Sequence, residues 1–300
     1  MANKTITATI KHRQATATTW ESKNPVLAAG EFGYDTTNKI TKIGDGSTPW
    51  KKLPFFATTN LSFAKATWGE ISAIANSGNA RDYFDVGEEK TITLTTGEEV
   101  TLVILGFNHD DLTGGGKAGM TIGMKNLLAT TYKMNSSNTN AGGWNGSAMR
   151  TSTMATLLSQ LPADLRNVIK QVNKKATAGS QGTTITTSVD KLFLFALAEL
   201  ASKTGLENST GTSIKNNAAT YEQEGTQYEY FKNTVGDADI YKACPALVKK
   251  LSNGGGSAYG WWLRSPSLGN STSFWCVIPS GDVNYYGASY SYGVSFGFCV

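Results

Sequence analysis

Residues 5–10 alternate as a strand does. Residues 18–23 read as a helical turn that Asn24-Pro25 ends, because a residue before proline is pushed out of helical geometry. Residues 31–35 and 39–43 pair as a hairpin around Thr36-Thr37-Asn38, Gly44-Asp45-Gly46-Ser47 turns, and Trp50, Leu53, Pro54 and Phe55 close the unit. So few apolar residues leave little for a private core, and this module is expected to bury its surface against copies of itself. Residues 68–75 predict a short helix stopped by Gly78. Residues 91–94 and 100–105 predict a hairpin through Gly97. A helix over 147–160 would bury Met154, Leu157, Leu158 and Leu161. A second begins at Pro162 and carries Leu165, Val168, Ile169 and Val172 at helical spacing. Residues 183–187 and 192–195 are candidate strands, while 202–220 and 253–257 read as loop. At the end Val294, Phe296, Phe298 and Val300 alternate with Ser295, Gly297 and Cys299, the pattern of a half-buried strand. Hairpin, two helices, long loops and short strands make an α+β class.

Three hundred residues accommodate two domains. The division read here is a β-rich module over 1–58, a polar linker over 59–67 and a larger domain over 68–300. The net charge of +4 is scattered, with no Lys/Arg run along a groove or helix face, so no nucleic-acid partner is expected. No apolar stretch approaches the ~20 residues of a membrane span, and none is expected. The first residues lack the apolar run of a signal peptide, which implies folding in a cytosol or export without a Sec signal. Cys244, Cys276 and Cys299 have no metal-site spacing and read as reduced thiols, with a Cys276–Cys299 bridge as the alternative.

Few residues invite a catalytic reading. His109, with Asn108, Asp110 and Asp111, resembles a metal or acid–base cluster. Metal ligands must converge from several elements, however, so the run is read as a polar turn whose Asp side chains bond backbone amides. Gly114-Gly115-Gly116-Lys117 lacks phosphate-loop spacing, and Gly44-Asp45-Gly46 lacks the repeated acids of a calcium loop; both read as turns. Trp261-Trp262 reads as core, with Arg264 anchored to a carboxylate or to backbone carbonyls. No catalytic residue, metal or cofactor is expected.

The C-terminal segment differs from the rest. Asp282 is its only charged residue after Arg264, and Tyr285, Tyr286, Tyr290 and Tyr292 are spaced by Asn284, Ser289 and Ser291. Tyrosine with serine, asparagine and glycine is the composition of antibody paratopes, where tyrosine gives amphipathic contact area at low entropy cost. Phe274, Val277, Val283, Ala288 and Val294 are placed to pin the backbone while the residues between them face outward. The segment reads as a recognition surface rather than a site of chemistry.

Two resemblances sharpen this reading. Residues 5–56 combine His12-Arg13 on a basic strand, a Trp20 turn, Leu27-Ala28-Ala29-Gly30-Glu31-Phe32-Gly33 and Ile43-Gly44-Asp45-Gly46 before Trp50. In that order they resemble the N-terminal module of phage tail-fibre proteins, including the major tropism determinant family. That resemblance implies a homotrimer, attachment to other tail proteins through this module, and a place in the virion after assembly in the host cytoplasm. Residues 68–300 carry "VILGFNHDDLTGGGKAGMTIGMKNLL", "GGWNGSAMR", "LPADLRNVIKQV", "DKLFLFALAEL", "EGTQYEYF" and "GWWLRSPS". These resemble a bacterial and phage domain of unknown function whose C-terminus is similar to the C-type-lectin-fold variable proteins of diversity-generating retroelements. The resemblance implies a C-type-lectin-like fold and a variable segment over about 273–292.

Retroelement mutagenesis at adenines of AAC or AAT codons yields Tyr, Ser, Asn, Asp, Ile, Cys and Gly among others. The expected ligand-binding set is Ser273, Cys276, Ile278, Ser280, Asp282, Asn284, Tyr285, Tyr286, Ser289, Tyr290, Ser291 and Tyr292. Trp275 falls outside it, and Pro279 is left out as stiff. The function expected is a phage receptor-binding protein that is not an enzyme and whose partner is a host cell-surface receptor, protein or glycan. The alternatives are a formylglycine-generating-type oxidase on the same fold and a bacterial surface adhesin.

Overall fold

The computed structural model describes residues 11–56, 61–253 and 256–300. The strand expected over 5–10, the start of the expected linker and Gly254-Gly255 lie outside them.

At the N-terminus, β1 (Arg13–Ala15) runs parallel to β2 (Phe32–Asp35), which pairs antiparallel with β3 (Ile40–Ile43). Between β1 and β2, α1 (Ala17–Lys23) starts at Thr16, whose side chain accepts from the Thr19 amide, and stops at Asn24 in the left-handed region. The β2–β3 turn is fixed by Asp35, whose Oδ1 accepts from the amides of Thr37 (2.8 Å) and Asn38 (3.1 Å). The expectation of no private core is corrected. Trp20 and Trp50 stack at 3.9 Å, and with Leu27 and Leu53 they form a small buried cluster. Gly33 makes room for it, since a Cβ there would stand 2.5 Å from the Trp50 ring. This module also leans on the larger domain, where the Phe55 amide donates to the Tyr83 hydroxyl (2.9 Å) and the two rings meet edge-on.

Phe63 and Ala66 belong to the large core rather than to a linker; Phe63 packs edge-on against Trp68 and Phe84. α2 (Trp68–Ser77) opens with a capping box between Thr67 and Glu70 and closes at Gly78. A four-stranded sheet follows in the order β14-β6-β5-β4, built from β4 (Glu89–Thr93), β5 (Glu99–Phe107), β6 (Met120–Met124) and β14 (Gly297–Cys299). The final strand is buried on both faces, not one. Residues 293–300 are all inside: Phe298 packs against Trp68 on one face, Gly297 lies against the Phe193 and Phe195 rings and Cys299 meets Thr121 and Asp110 on the other, and Phe193 bridges to Gly297 along the edge away from β6.

The helical region is more broken than its periodicity predicts. A turn α3 (Gly143–Gly146) and a π-helical turn over Met149–Thr153 precede α4 (Met154–Gln160), and Leu158 is only partly buried. Pro162 caps α5 (Ala163–Val168) from outside. Val172 starts a strand instead of continuing that helix, since the Lys170 amide is captured by the Cys299 carbonyl (2.9 Å). β7 (Val172–Gly179) and β8 (Gly182–Asp190) form a long hairpin that contains the expected segment 183–187. Residues 192–195 form no strand, though all four are buried. Residues 202–220, expected as loop, carry α7 (Lys203–Glu207), α8 (Thr212–Lys215) and α9 (Ala218–Tyr221) after α6 (Leu197–Leu200). Ser202 caps α7, and Leu206, Ile214, Ala218 and Tyr221 hold these turns to the core. After α10 (Glu229–Thr234), β9 (Lys249–Lys250) pairs with β10 (Ala258–Tyr259), and β11 (Trp261–Pro266), β12 (Ser273–Val277) and β13 (Val283–Gly287) make a three-stranded sheet. The whole is mixed α+β with several small sheets. All three cysteines are free and buried, so no Cys276–Cys299 bridge forms.

Candidate functional site

The β11-β12-β13 sheet carries the expected recognition segment, and its register decides which side chains can act together. Trp262 lies opposite Cys276, Cys276 opposite Asn284, and Phe274 opposite Tyr286. Directly opposed residues share a face, and successive residues alternate faces. Tyr286 therefore sits on the Trp262 side. Tyr285 pairs with Trp275 on the other side and packs edge-on against that ring at 5.3 Å. The four tyrosines do not form one uninterrupted face, because adjacent positions in a strand cannot.

Around Tyr286 a cluster of rings does assemble. Its centroid lies 5.2 Å from Tyr292 and 6.3 Å from Tyr290, and Tyr292 in turn stands edge-on to buried Trp262 at 4.9 Å. Gly260 makes this possible, since a Cβ there would fall 2.4 Å from the Tyr292 ring. Tyr290 is 57% exposed and Tyr285 39%. Tyr286 and Tyr292 are half-buried, and burial pushes the Tyr292 phenol up.

The remaining expected residues divide by burial. Ser273 and Cys276 are sealed inside, and their place in the displayed set is corrected; Cys276 lies mid-strand on the Tyr286 side, Ser273 opens β12 on the Trp275 side, and burial pushes the Cys276 thiol up. At the β12–β13 turn, Ile278 is half-buried, Ser280 is exposed, and the Ser280 hydroxyl donates to Asp282. Asn284 is half-buried and its Oδ1 accepts from the Tyr285 amide (2.8 Å). Ser289 is half-buried with its amide and hydroxyl on Asn138 Oδ1 (3.1 and 2.7 Å), and Ser291 is exposed. Phe274, Val277, Val283, Ala288 and Val294 are all buried and hold the backbone under this display.

The sequence reading missed the flank of the cluster. Residues 132–140 run beside the C-terminal segment as a strap. Tyr132 and Tyr292 exchange both backbone hydrogen bonds (2.8 and 3.0 Å), the Asn135 amide donates to the Ala288 carbonyl (3.0 Å), and the Trp262 indole donates to the Tyr132 carbonyl (2.8 Å). The antiparallel pairing puts the Tyr132 and Tyr292 side chains on one side. Tyr259, 37% exposed, lies 6.5 Å from Tyr292. Neither Tyr132 nor Tyr259 stands in a tyrosine-rich run, so only the fold brings them in.

A second constellation gathers around His109 and Arg264. The Lys174 ammonium reaches Asp110 (2.6 Å), Glu199 (2.5 Å) and the Tyr228 hydroxyl (3.0 Å). Arg264 donates to Glu199, to the carbonyls of Lys175, Leu194 and Glu224, and is wholly buried, as expected of an anchor. Asp110 does not bond backbone amides as the turn reading expected. Its carboxylate takes Lys174, Tyr228 and Thr121, because the β5–β6 loop folds it inward. Asp111 stays at the surface with Lys117 (2.6 Å). Burial works against the charge on Asp110 and Glu199, yet Lys174 and, for Glu199, Arg264 prevail and hold both carboxyls below their ordinary range. Burial pushes Glu224 up to about 7 and lowers His109. A cleft of about 510 Å³ opens above this network, with His109, Lys174, Glu199, Glu222 and Glu224 in its lining. Lys174, Glu199 and Glu224 already have partners, and Glu222 holds Lys203 through Oε2 while its buried Oε1 has none among the described residues. Among the described residues no group of three metal-ligating side chains gathers, and no helix is long and apolar enough to cross a membrane.

No curated protein and no solved structure matches the chain. Residues 10–48 match the Major tropism determinant N-terminal domain, which points to a phage host-tropism protein and a virion component. Residues 118–300 match a Domain of unknown function (DUF6273). That match spans more than half of the chain and includes the ring cluster and, apart from His109, Asp110 and their loop, the Arg264 network, so the protein belongs to the DUF6273 family.

Proposed function

We propose that the protein is a phage receptor-binding protein of the tail-fibre tip, with the face around Tyr286, Tyr290 and Tyr292 as its ligand surface. The observation that carries this is the contrast within one segment. Phe274, Val277, Val283, Ala288 and Val294 are buried, while Tyr290, Ser291 and Ser280 between and beyond them are exposed. A frame of this kind tolerates changes at the surface positions without losing its core. In this reading the larger domain has a C-type-lectin-like fold and the C-terminal segment is diversified by a retroelement. The N-terminal module trimerises and joins other tail proteins. Weak single sites then gain avidity from several copies.

The rings have the chemistry for binding: each offers apolar area and one hydroxyl, and only Asp282 carries charge in the segment. For the oxidase alternative, the cysteine thiols face other groups. Cys276 Sγ lies 3.4 Å from the Asn284 carbonyl, and Cys299 Sγ lies 3.4 Å from Asp110 and from Thr121.

The test is adsorption to host cells by the double variant Tyr286→Ala/Tyr290→Ala. The expected result is a loss of about tenfold or more, the scale of one interface hot spot. An unchanged far-UV spectrum and unchanged adsorption together would overturn the reading.

A further inference from the structure

We infer that the recognition face is a composite, with Tyr132 and Tyr259 as fixed aromatic anchors beside the C-terminal segment, and that it fits an uncharged glycan. The inference rests on the host-attachment reading and goes beyond it by naming residues outside that segment and a ligand class.

The case for the anchors is geometric. Tyr292 is the hub. Its backbone is tied to Tyr132 on one flank, and its ring faces Tyr259 on another and Tyr286 on a third. The strap is held where it is by two side-chain amides. Asn138 Oδ1 takes the Ser289 amide and hydroxyl, and buried Asn140 Nδ2 donates to the carbonyls of Ser267, Asn270 and Ser273 while its Oδ1 accepts from the Ser180 amide. Gly287 completes the fit, because a Cβ there would meet the Asn138 side chain at 2.4 Å. A ligand that covers Tyr286 and Tyr292 thus meets rings contributed by three separate stretches of chain, two of which are no part of the tyrosine-rich segment.

The ligand class follows from charge. The rings of Tyr259, Tyr286, Tyr290 and Tyr292 gather on this face, Tyr132 pairs beside Tyr292 with its side chain on the same side, and the neutral side chain of Asn284 shares the Tyr286 side. The charges adjoining this face are Lys133 and Asp282 along the chain and Glu98 beside Tyr132; Asp282 already holds the Ser280 hydroxyl, and the Glu98 carboxylate already accepts from the Ala129 amide and the Ser252 hydroxyl. About a quarter of an ordinary protein's residues are charged. Covering such groups with an uncharged aromatic face would strip their water without supplying a partner. A neutral sugar polymer brings no such cost. Its C–H faces lie against aromatic rings, and its hydroxyls meet tyrosine hydroxyls and the Asn284 amide.

The experiment uses the full-length protein, fluorescently labelled, on intact bacterial cells to which it binds. Cells are treated with periodate, which cleaves vicinal diols, or with a broad protease. Tyr132→Ala, Tyr259→Ala and Tyr290→Ala are compared with the parent on untreated cells, each with its melting temperature. The expected results are loss of binding after periodate, retention after protease, and a fall of about tenfold for each of the three variants. Loss after protease alone overturns the glycan in favour of a protein receptor. Full binding by Tyr132→Ala and Tyr259→Ala with loss in Tyr290→Ala overturns the anchors but leaves the host-attachment reading standing. Should Tyr132→Ala melt early, Tyr259→Ala, at an exposed position, decides the question. Failure to bind any strain overturns the host-attachment reading itself, and the glycan with it.

Discussion

Glu224 shows how much a single buried side chain can report. It is sealed inside, accepts the Thr177 amide at 2.9 Å, pairs with the Ser265 hydroxyl, and is pushed by burial up to about 7. Its folded pKa lies above its ordinary value, so its neutral form is the one the fold favours. The contribution it makes is fully present below the ordinary value of 4.5 and is lost as pH rises through about 7. The parent protein is therefore expected to lose up to about 3 kcal/mol of unfolding free energy relative to Glu224→Gln as pH rises from 4.5 to above 7. Urea melts of both proteins across that window check it, and parallel pH profiles would contradict it. Arg264 was legible at this scale from its place after two tryptophans; its partners were not. Glu199 and Glu224 are 65 and 40 residues away in the chain, and nothing in local spacing links them. Asp110 was misread for the same reason. A run of polar residues after a strand has the pattern of a surface turn, and only Lys174 from a distant hairpin draws it inside.

Among the elements, short-range signals were the most readable. The α2 capping box, the β4–β5 hairpin through Gly97 and the β2–β3 hairpin follow from residues within a few positions of one another. The failures came where tertiary bonds overrode periodicity. Val172 has helical spacing from Ile169, but the chain is pulled into a strand pair when Lys170 binds the Cys299 carbonyl. Four tyrosines read as one face until the β12–β13 register places Tyr285 and Tyr286 on opposite sides. Asn140 is the test of how elements are locked together. It joins the β7–β8 hairpin tip to the β11–β12 connection, and both groups of its amide are used. Asn140→Ala leaves buried carbonyls and an amide unpaired, and is expected to cost about 2–4 kcal/mol, an ordinary penalty for buried groups left without partners. The fall in urea midpoint measures it; a change under about 0.5 kcal/mol, the size of a surface substitution, would contradict the keystone role.

The molecule as a whole joins a small N-terminal module to a larger domain whose display lies in its C-terminal segment. Val26 (48%) and Phe56 (49%) are exposed in the N-terminal module, apolar area that copies of the chain could cover. A trimer in solution is expected, and sedimentation equilibrium of the full chain checks it: three times 32.0 kDa supports the proposal and 32.0 kDa alone contradicts it. The central claim is that the frame and the display are separable. Its most direct measurement is a paired one, the melting temperature and host-cell adsorption of a small library randomised at Ser280, Asn284, Tyr290 and Ser291. The account predicts melting temperatures within about 3 °C of the parent across the library, since surface changes stay near 0.5 kcal/mol, while adsorption varies by tenfold or more. Members that lose adsorption only in proportion to lost stability would contradict it.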